Sequence, residues 1–217
     1  KSKDFNADLQ ALILKNIKDH KRIIFNGNGY DDSWVKEAKK RGLLNLRSTP
    51  EALQHTMDEK NVTLFEKYGV YSKVELASRN EIHYKNYSTI IHIEADTMID
   101  MVKKQILDAS SKYGKELSDT IIAKNKAESG IDVSYETVVL KEISSLTSDI
   151  WKKVCNLEKA VSEAESIAEA DKAALCYGEK VFAGMQDLRE SVDQLEVLMP
   201  KKEWPMPSYG DILFSVR

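Results

Sequence analysis

The sequence is poor in the side chains from which metal centres and nucleophilic sites are built. Its two cysteines, Cys155 and Cys176, belong to no CxxC motif and to no cysteine–histidine cluster. We therefore expect a reduced, cytosolic protein in which both thiols pack as small core residues, with a nucleophilic role as the alternative. The four histidines are His20, His55, His83 and His92. No two of them have the spacing of a metal-chelating pair, so we expect them to be solvated or packed between helices.

An excess of charge and a long apolar run are also missing. The 32 lysines and arginines nearly balance the 35 aspartates and glutamates, which leaves a formal charge of -3. No basic excess attracts nucleic acid or an anionic membrane, and no apolar run approaches the roughly 18 residues that span a bilayer. We therefore expect no nucleic-acid partner and no membrane partner. The chain begins with Lys1 in a polar stretch and not with methionine, which suggests that it was cut from a longer protein.

Proline is scarce, and the longest stretch without it predicts the longest helix. From Val74 to about Lys126 there is no proline and one glycine. Ser72 and Glu75 have the spacing of a capping box, which starts a helix at that point. Apolar residues then recur at steps of three and four: Met98, Val102, Ile106, Ala109, Tyr113, Leu117 and Ile121. This spacing predicts one long helix with an apolar side.

Two more apolar stripes follow, and they are the most regular in the sequence. The first contains Ile143, Leu146, Ile150, Val154, Leu157, Val161, Ala164 and Ala168. The second contains Ala174, Tyr177, Val181, Met185, Leu188, Val192, Leu195 and Met199. Their near-heptad spacing is the same, and a short acidic link around Glu169 to Asp171 joins them. The pattern predicts an antiparallel helical hairpin, with the helix that starts at Ser72 as its third partner.

The two ends of the chain predict shorter elements. We expect an amphipathic helix from Ala7 to Ile24, a turn from Phe25 to Tyr30, and a short helix from about Ser33 to Lys40. Two more short helices are expected, one from Pro50 towards Lys60 and one from Val62 to Tyr68. The predicted fold is therefore all-α: long antiparallel helices in a bundle, short N-terminal helices and an extended C-terminal tail.

The C-terminal tail combines prolines with apolar side chains. Pro200 ends the helical run, and the segment from Trp204 to Phe214 cannot be helical through its prolines. That segment also carries Tyr209, Ile212 and Leu213, which are costly to leave in water. We expect it to dock on the bundle, on a preceding domain or on a neighbouring subunit.

Three further groups of residues have both a chemical and a plainer interpretation. Asn26 to Gly29 suggests a phosphate-binding loop, but it lacks the GxxxxGK[ST] pattern, and an ordinary glycine turn is the better hypothesis. Asp96 and Asp100 lie four apart on one helical face and could hold a divalent cation, although such pairs are more often a polar surface. Tyr68, Tyr71, Tyr84 and Tyr87 could form a stacking surface or simply pack at the core and rim. We assign no catalytic, cofactor-binding or metal-binding residue.

Specific strings resemble a known family. Residues 18–30, 34–45 and 49–53 resemble the stretch that follows the catalytic core in type III glutamine synthetases. Further similar strings follow in the same order at residues 64–70, 75–76, 78–79, 81–82, 93–95, 97–101, 204–205 and 207–214. The turn at residues 25–30 and the string from Trp204 to Phe214 are specific, because neither follows from bundle packing. Asn80 and Asp108 depart from the family, where an aromatic residue and a proline are usual.

The resemblance implies a parent enzyme that joins glutamate and ammonia at the expense of ATP, through a γ-glutamyl phosphate and with magnesium or manganese. The family's metal ligands and phosphate-binding arginines belong to the preceding β-rich core, and none of those motifs falls on these positions. Residues 1–48 are expected to be the tail of the catalytic domain, and residues 49–217 the C-terminal helical bundle domain, with a structural, assembly or regulatory role. The fragment alone is expected to be inactive and to bind no cofactor. Its implied partners are the rest of the enzyme and the neighbouring subunits of a double-ring homo-oligomer.

A different class of function remains as the alternative. Two stripes of such regularity would also serve a free-standing coiled-coil adaptor that binds a partner helix. An adaptor gives no reason for the turn at residues 25–30 or for the aromatic tail. The two hypotheses differ in what they require upstream of Lys1: catalytic-core sequence or a start codon.

Overall fold

The computed structural model describes residues 4–215. Within that range every regular element is a helix and no β-strand is present, which confirms the all-α prediction. The chain divides into two compact units, one that ends at Leu46 and one that begins at Arg47. Each unit is described by itself.

The first helix of the first unit is shorter than the sequence predicted. Helix α1 (Phe5–Asp19) begins at Asp4, whose carboxylate accepts hydrogen bonds from two backbone N–H groups of the first turn. The prediction that this helix continues to Ile24 is wrong, because a 3-10 turn (Lys21–Ile23) replaces its last residues. The Arg41 guanidinium provides the physical reason. It donates to the carbonyl oxygens of Arg22, at 2.9 Å, and of Ile24, at 3.3 Å, which fixes those carbonyls outside a helical ladder.

The second helix of this unit follows its end signals closely. Helix α2 (Asp32–Lys40) is capped by Asp31, which accepts a hydrogen bond from the Ser33 backbone at 2.7 Å. The chain leaves α2 through Gly42, whose φ of +74° lies in the left-handed region that glycine adopts without strain.

The second unit starts with two short helices where one longer and one shorter helix were expected. Helix α3 (Thr49–Gln54) begins at a capping box between Ser48 and Glu51, and α4 (Glu59–Lys67) follows after a turn. The predicted continuation of the first of these helices to Lys60 is wrong. The Asn61 side chain donates to the His55 carbonyl at 2.7 Å, and this bond holds the turn between the two helices.

The long predicted helix is present, with one irregularity. It consists of α5 (Lys73–Met101), a π-helical segment (Val102–Ile106) and α6 (Leu107–Ala127). Ser72 caps its first turn at 3.3 Å from the Glu75 nitrogen, as expected. The second half of the expected capping box is not formed, because the Glu75 carboxylate binds Arg79 instead. The apolar side predicted for this helix lies in or against the core from Met98 to Leu117, whereas Ile121 is half-buried outside it.

The predicted hairpin is confirmed in its direction and in its packing. It comprises α7 (Ser134–Glu165), α8 (Ala170–Cys176), a second π-helical segment (Tyr177–Phe182) and α9 (Ala183–Leu198). Ion pairs join Lys180 to Glu163 and Lys153 to Asp187, so residue numbers rise along one helix as they fall along the other. The two helices are therefore antiparallel.

Both hairpin stripes face the bundle core. All members of the second stripe and most members of the first are buried or half-buried. Ala168 is the exception, because it lies in the exposed turn before α8. The long helix packs against the same core through Val102, Ile106 and Leu117, so three long helical columns share one apolar interior.

The C-terminal segment docks in part. Trp204 and Met206 pack against the bundle core, as expected, and the prolines keep this stretch non-helical up to Ser208. A short helix that the sequence did not predict, α10 (Tyr209–Leu213), then follows. Among the described residues, no helix combines the length and the apolarity that crossing a membrane requires.

Candidate functional site

The asparagine–glycine loop is built as a structural turn. The Asn28 side chain accepts a hydrogen bond from the Tyr30 backbone at 3.0 Å, which closes the turn locally. The Phe25 ring packs against Trp34 with a centroid distance of 4.8 Å, and the Arg41 guanidinium lies over the same ring. A Cβ atom at Gly27 would lie 2.6 Å from the Phe25 ring, so glycine is needed for this packing. The loop thus serves the local fold of the first unit.

The carboxylate pair on α5 engages two different side chains. Asp96 lies 3.3 Å from His92 Nε2, and Asp100 forms an ion pair with Lys104 one turn further along. The two carboxylates therefore do not converge on a common point. Within residues 4–215, no group of three or more histidine, cysteine, aspartate or glutamate side chains is arranged to hold a metal ion.

His92 is the histidine with the richest surroundings. Its Nδ1 atom lies 3.1 Å from the Tyr177 hydroxyl, and its Nε2 atom also faces Glu165 at 3.7 Å. Burial raises the pKa of Tyr177 above 10.0, and the Glu165 and Asp96 carboxylates raise it further. The cluster links α5, α7 and the start of the second π-helical segment, as expected for a histidine packed between helices. Elsewhere, His55 Nδ1 lies 3.1 Å from Asp58, in the turn after α3.

The cysteines and the tyrosines occupy packing positions. Both thiols are free, and burial raises the pKa of Cys176, which makes it a poor nucleophile. Tyr84 is buried and Tyr87 is half-buried on α5, whereas Tyr68 is exposed. Tyr71 contacts Phe65 and the Arg79 guanidinium. The four tyrosines thus have different surroundings and do not form a common stacking surface, which favours the packing interpretation.

An uncovered apolar surface of the first unit lies on α1. None of the fifteen residues of α1 is buried. Its exposed apolar side chains are Phe5, Leu9, Leu12, Ile13, Leu14 and Ile17, with exposed fractions from 41% to 74%. Side chains of this size on one short helix form an exposed apolar surface of the kind found at interaction sites.

A second uncovered apolar surface is formed by α10. Tyr209, Ile212, Leu213 and Phe214 are all more than half exposed. The helix itself is firmly built, because Ser208 and Asp211 form a capping box and Lys201 binds the Asp211 carboxylate at 2.8 Å. These contacts lower the pKa of Asp211 from 3.8 to about 2, the Lys201 bond being the largest cause. The expected docking of the tail therefore stops at Met206.

Two concavities of the second unit were missed by sequence reasoning. The first is an apolar groove of about 570 Å³ between α5 and α9, bordered by the C-terminal segment. Its wall includes Met98, Met101, Met185, Val192, Trp204 and Met206. In the part of the chain that the structure describes, the buried Trp204 Nε1 atom has no hydrogen-bond acceptor. The methionines were the only sequence signal, and methionine alone does not predict a groove.

The second concavity is a cleft of about 550 Å³ between α3, α5 and the turn before α8. Asn80 and Tyr84 are its two buried lining residues, and Glu81, Glu169 and Asp171 are exposed at its rim. The sequence marked Asn80 only as a departure from a family pattern. Its position in a cleft depends on three segments that lie far apart in the chain.

Comparison with known proteins relates this chain to one enzyme family. A family model described as the glutamine synthetase C-terminal domain matches residues 8–125. The chain is 37% identical over 214 residues to a glutamine synthetase of Butyrivibrio fibrisolvens, which covers 99% of this chain and 31% of that protein. It is 32% identical to a type-3 glutamine synthetase of Dictyostelium discoideum, across 94% of this chain and 29% of that protein. A glutamine synthetase of Bacteroides fragilis is 28% identical, across 94% of this chain and 28% of that protein. The chain thus spans less than a third of the length of these curated relatives.

Proposed function

This chain belongs to the glutamine synthetase C-terminal domain family, and from that premise we propose that it is the helical C-terminal portion of a type III glutamine synthetase with a structural role in assembling that enzyme. The whole enzyme forms glutamine from glutamate and ammonia with ATP. We assign ATP and its magnesium or manganese ion to the rest of the enzyme, because the carboxylates at Asp96 and Asp100 engage different partners, His92 and Lys104, and do not form a shared site.

The uncovered apolar side of α1 is the observation that carries this proposal. Burying apolar surface is worth roughly 25 cal/mol per Å², so a helix with six large apolar side chains in water favours a covering partner. About 70% of the length of the curated relatives lies outside the region they share with this chain. We infer that the catalytic portion of the same polypeptide covers α1, and that α10 packs against the catalytic portion of the same or a neighbouring subunit.

The coiled-coil adaptor is a weaker candidate. An adaptor needs an apolar stripe that is free to meet a partner helix. The hairpin stripes pack against each other and against the long helix, and Ile150 and Leu188 are fully buried there. They are therefore not available to a partner unless the bundle opens.

The free thiols of Cys155 and Cys176 support a cytoplasmic location for the proposed enzyme.

The proposal is tested with the complete reading frame that contains this chain. Ile13→Asp places a charge in the middle of the α1 surface, where Ile13 is about half exposed. In the isolated 217-residue chain we expect this change to leave the helical circular dichroism intact, because no buried contact is lost. In the complete enzyme we expect the assembled oligomer to be lost, as measured by light scattering. Glutamine-forming activity should be lost with it.

Val197→Asp is the matched control, since Val197 is exposed on α9 and belongs neither to α1 nor to α10. It should leave assembly and activity unchanged. An unaffected oligomer in the Ile13 variant would show that α1 is not an assembly surface. Turnover of glutamate, ammonia and magnesium-ATP by the isolated chain would show that its role is not purely structural.

A further inference from the structure

The cleft between α3, α5 and the turn before α8 contains a buried polar atom that has no partner among the described residues. Asn80 is 8% exposed, and its Nδ2 atom donates to the Leu53 carbonyl on α3 at 3.3 Å. This bond fixes the orientation of the amide, because the reverse orientation would place two acceptors against each other. Among residues 4–215, no donor lies within hydrogen-bond distance of the buried Asn80 Oδ1 atom. A buried acceptor without a partner is costly, and it marks a place where a donor from outside would be stabilised.

The charged side chains that line the cleft also leave one negative group without a partner. Three carboxylates line it, and two of them have cations: Glu81 binds Lys85 at 2.6 Å, and Glu169 binds Lys172 at 3.1 Å. The third is Asp171, and among the described residues no cation lies within ion-pair distance of its carboxylate. Asp171 is therefore the carboxylate at this cleft that a cation from outside the described residues could pair with.

The Asp171 carboxylate affects the pKa of Tyr84, which lines the same cleft. Burial is the main reason that the pKa of Tyr84 is raised, and the negative charge of Asp171 raises it further. The same phenol interacts with the Asn80 side chain, which has the opposite effect on its pKa. Asn80, Tyr84 and Asp171 therefore form one local environment, with an unused acceptor and an unused negative charge.

The chemistry of this environment fits an organic cation better than a metal ion. The carboxylates at the cleft belong to no group that could coordinate a metal within the described part of the chain. An ammonium group is a compact charge with three donors, so it can serve an amide oxygen and a carboxylate at once. The Met57 side chain and the Tyr84 ring supply apolar and aromatic surface for an attached aliphatic stem.

We propose that this cleft binds a small primary ammonium compound, whose charged group donates hydrogen bonds to Asn80 Oδ1 and to the Asp171 carboxylate. Its short aliphatic stem lies against Met57 and Tyr84. Because Asn80 Oδ1 is closed to solvent, binding requires a movement of side chains that line the cleft. Such a ligand joins α3, α5 and the turn before α8, so it also stabilises the second unit.

The test uses the 217-residue chain and n-butylammonium as the probe, with 1-butanol and butyrate as neutral and anionic controls. Nuclear magnetic resonance follows the side-chain amide of Asn80 and the backbone amides of Ala170 and Asp171. We expect saturable shifts with n-butylammonium, with a dissociation constant on the order of millimolar, and none with the two controls. The melting temperature should rise with the concentration of n-butylammonium.

Two substitutions separate the proposed contacts. Asp171→Asn removes the charge, and Asn80→Leu removes the acceptor at similar volume; each should weaken binding about five- to tenfold. Asp119→Asn is the matched control, because Asp119 is an exposed carboxylate on α6 that binds Lys115 at 3.3 Å. Its dissociation constant should stay within about twofold of the parent value.

Three results would overturn the proposal. The first is an absence of shifts at Asn80 and Asp171 in tens of millimolar n-butylammonium. The second is an equal response to 1-butanol, which would make the cleft a general apolar surface. The third is a loss of affinity in the Asp119 variant as large as in the Asp171 variant, which would mean that any carboxylate suffices. Circular dichroism identifies a misfolded Asn80 variant, and the Asp171 variant then decides alone.

Discussion

Gly114 offers a test of the packing between the long helix and the hairpin. Replacing it with alanine favours the helix, whereas the added Cβ atom could clash with the hairpin, and one interatomic distance decides which effect is larger. Gly114 lies inside α6, where glycine costs about 1 kcal/mol relative to alanine through its larger loss of backbone freedom. A Cβ atom added there would lie 3.6 Å from Leu140 Cδ1, an ordinary van der Waals contact. Nothing must move, so Gly114→Ala keeps the whole helical gain. We expect it to raise the free energy of unfolding by about 0.5–1 kcal/mol.

Gly184 is the matched comparison on α9. The same helical gain applies, but a Cβ atom there would lie 3.3 Å from Leu157 Cδ1, and Leu157 is fully buried between the helices. The contact is too tight for an unchanged core, and strain of roughly 1 kcal/mol or more offsets the gain. We therefore expect Gly184→Ala to be neutral or destabilising.

Urea denaturation followed by far-ultraviolet circular dichroism measures both variants. The slopes of the unfolding transitions should be unchanged, with the midpoint shifted upwards only for Gly114→Ala. If Gly114→Ala destabilises the chain, or if Gly184→Ala stabilises it equally, the spacing between these helices differs from 3.6 Å at Gly114 and 3.3 Å at Gly184. Gly69→Ala supplies a check on the method, because the φ of +63° at Gly69 strains any residue with a Cβ atom and must lower stability.

The remaining predictions concern the core and the C-terminal helix. Leu188 is 0% exposed and Val197 is 84% exposed on the same helix. Leu188→Ala should therefore lower the free energy of unfolding by about 2–5 kcal/mol, whereas Val197→Ala should lower it by less than about 0.5 kcal/mol. Urea denaturation measures both. The pKa of Asp211 is lowered from 3.8 to about 2, so its bonds to Lys201 and Ser208 stabilise α10 fully above pH 3.8 and lose this effect as the pH falls through 2. A carboxyl-carbon titration by nuclear magnetic resonance should find that midpoint, and Lys201→Met should move it towards 3.8; an unmoved midpoint would exclude Lys201 as the main cause.

Some details of the fold could be read from local sequence signals, and others could not. The heptad-like stripes predicted the buried sides of the long helices, because side chains three and four residues apart share a helical face wherever that helix packs. The end of α1 was missed, because it depends on a hydrogen bond from Arg41, nineteen residues after Arg22. The turn after α3 was missed for a similar reason, since the Asn61 side chain that holds it lies six residues after His55. Both misses involve side chains that reach beyond one helical turn.

For the candidate sites, the sequence predicted which residues are neighbours along the chain, but it did not predict the contacts that these residues make. Sequence spacing placed Asp96 and Asp100 on one face, but only the structure showed that Asp96 lies against His92 and Asp100 against Lys104. Sequence order also placed an apolar tail after Pro200. It did not show that Trp204 and Met206 are covered while Tyr209 and Phe214 are exposed.

By itself, the sequence determined that this protein is helical, which sides of its long helices are buried, and to which enzyme family it is similar, because periodicity and characteristic strings are properties of neighbouring residues. Tertiary structure alone decided that Asn80 binds the Leu53 carbonyl and shares a cleft with Asp171, and that the Asn80 oxygen and the Asp171 carboxylate have no partner among residues 4–215. The physical reason is distance along the chain. Contacts between residues that are tens of positions apart depend on how whole helices pack, and no local pattern encodes them.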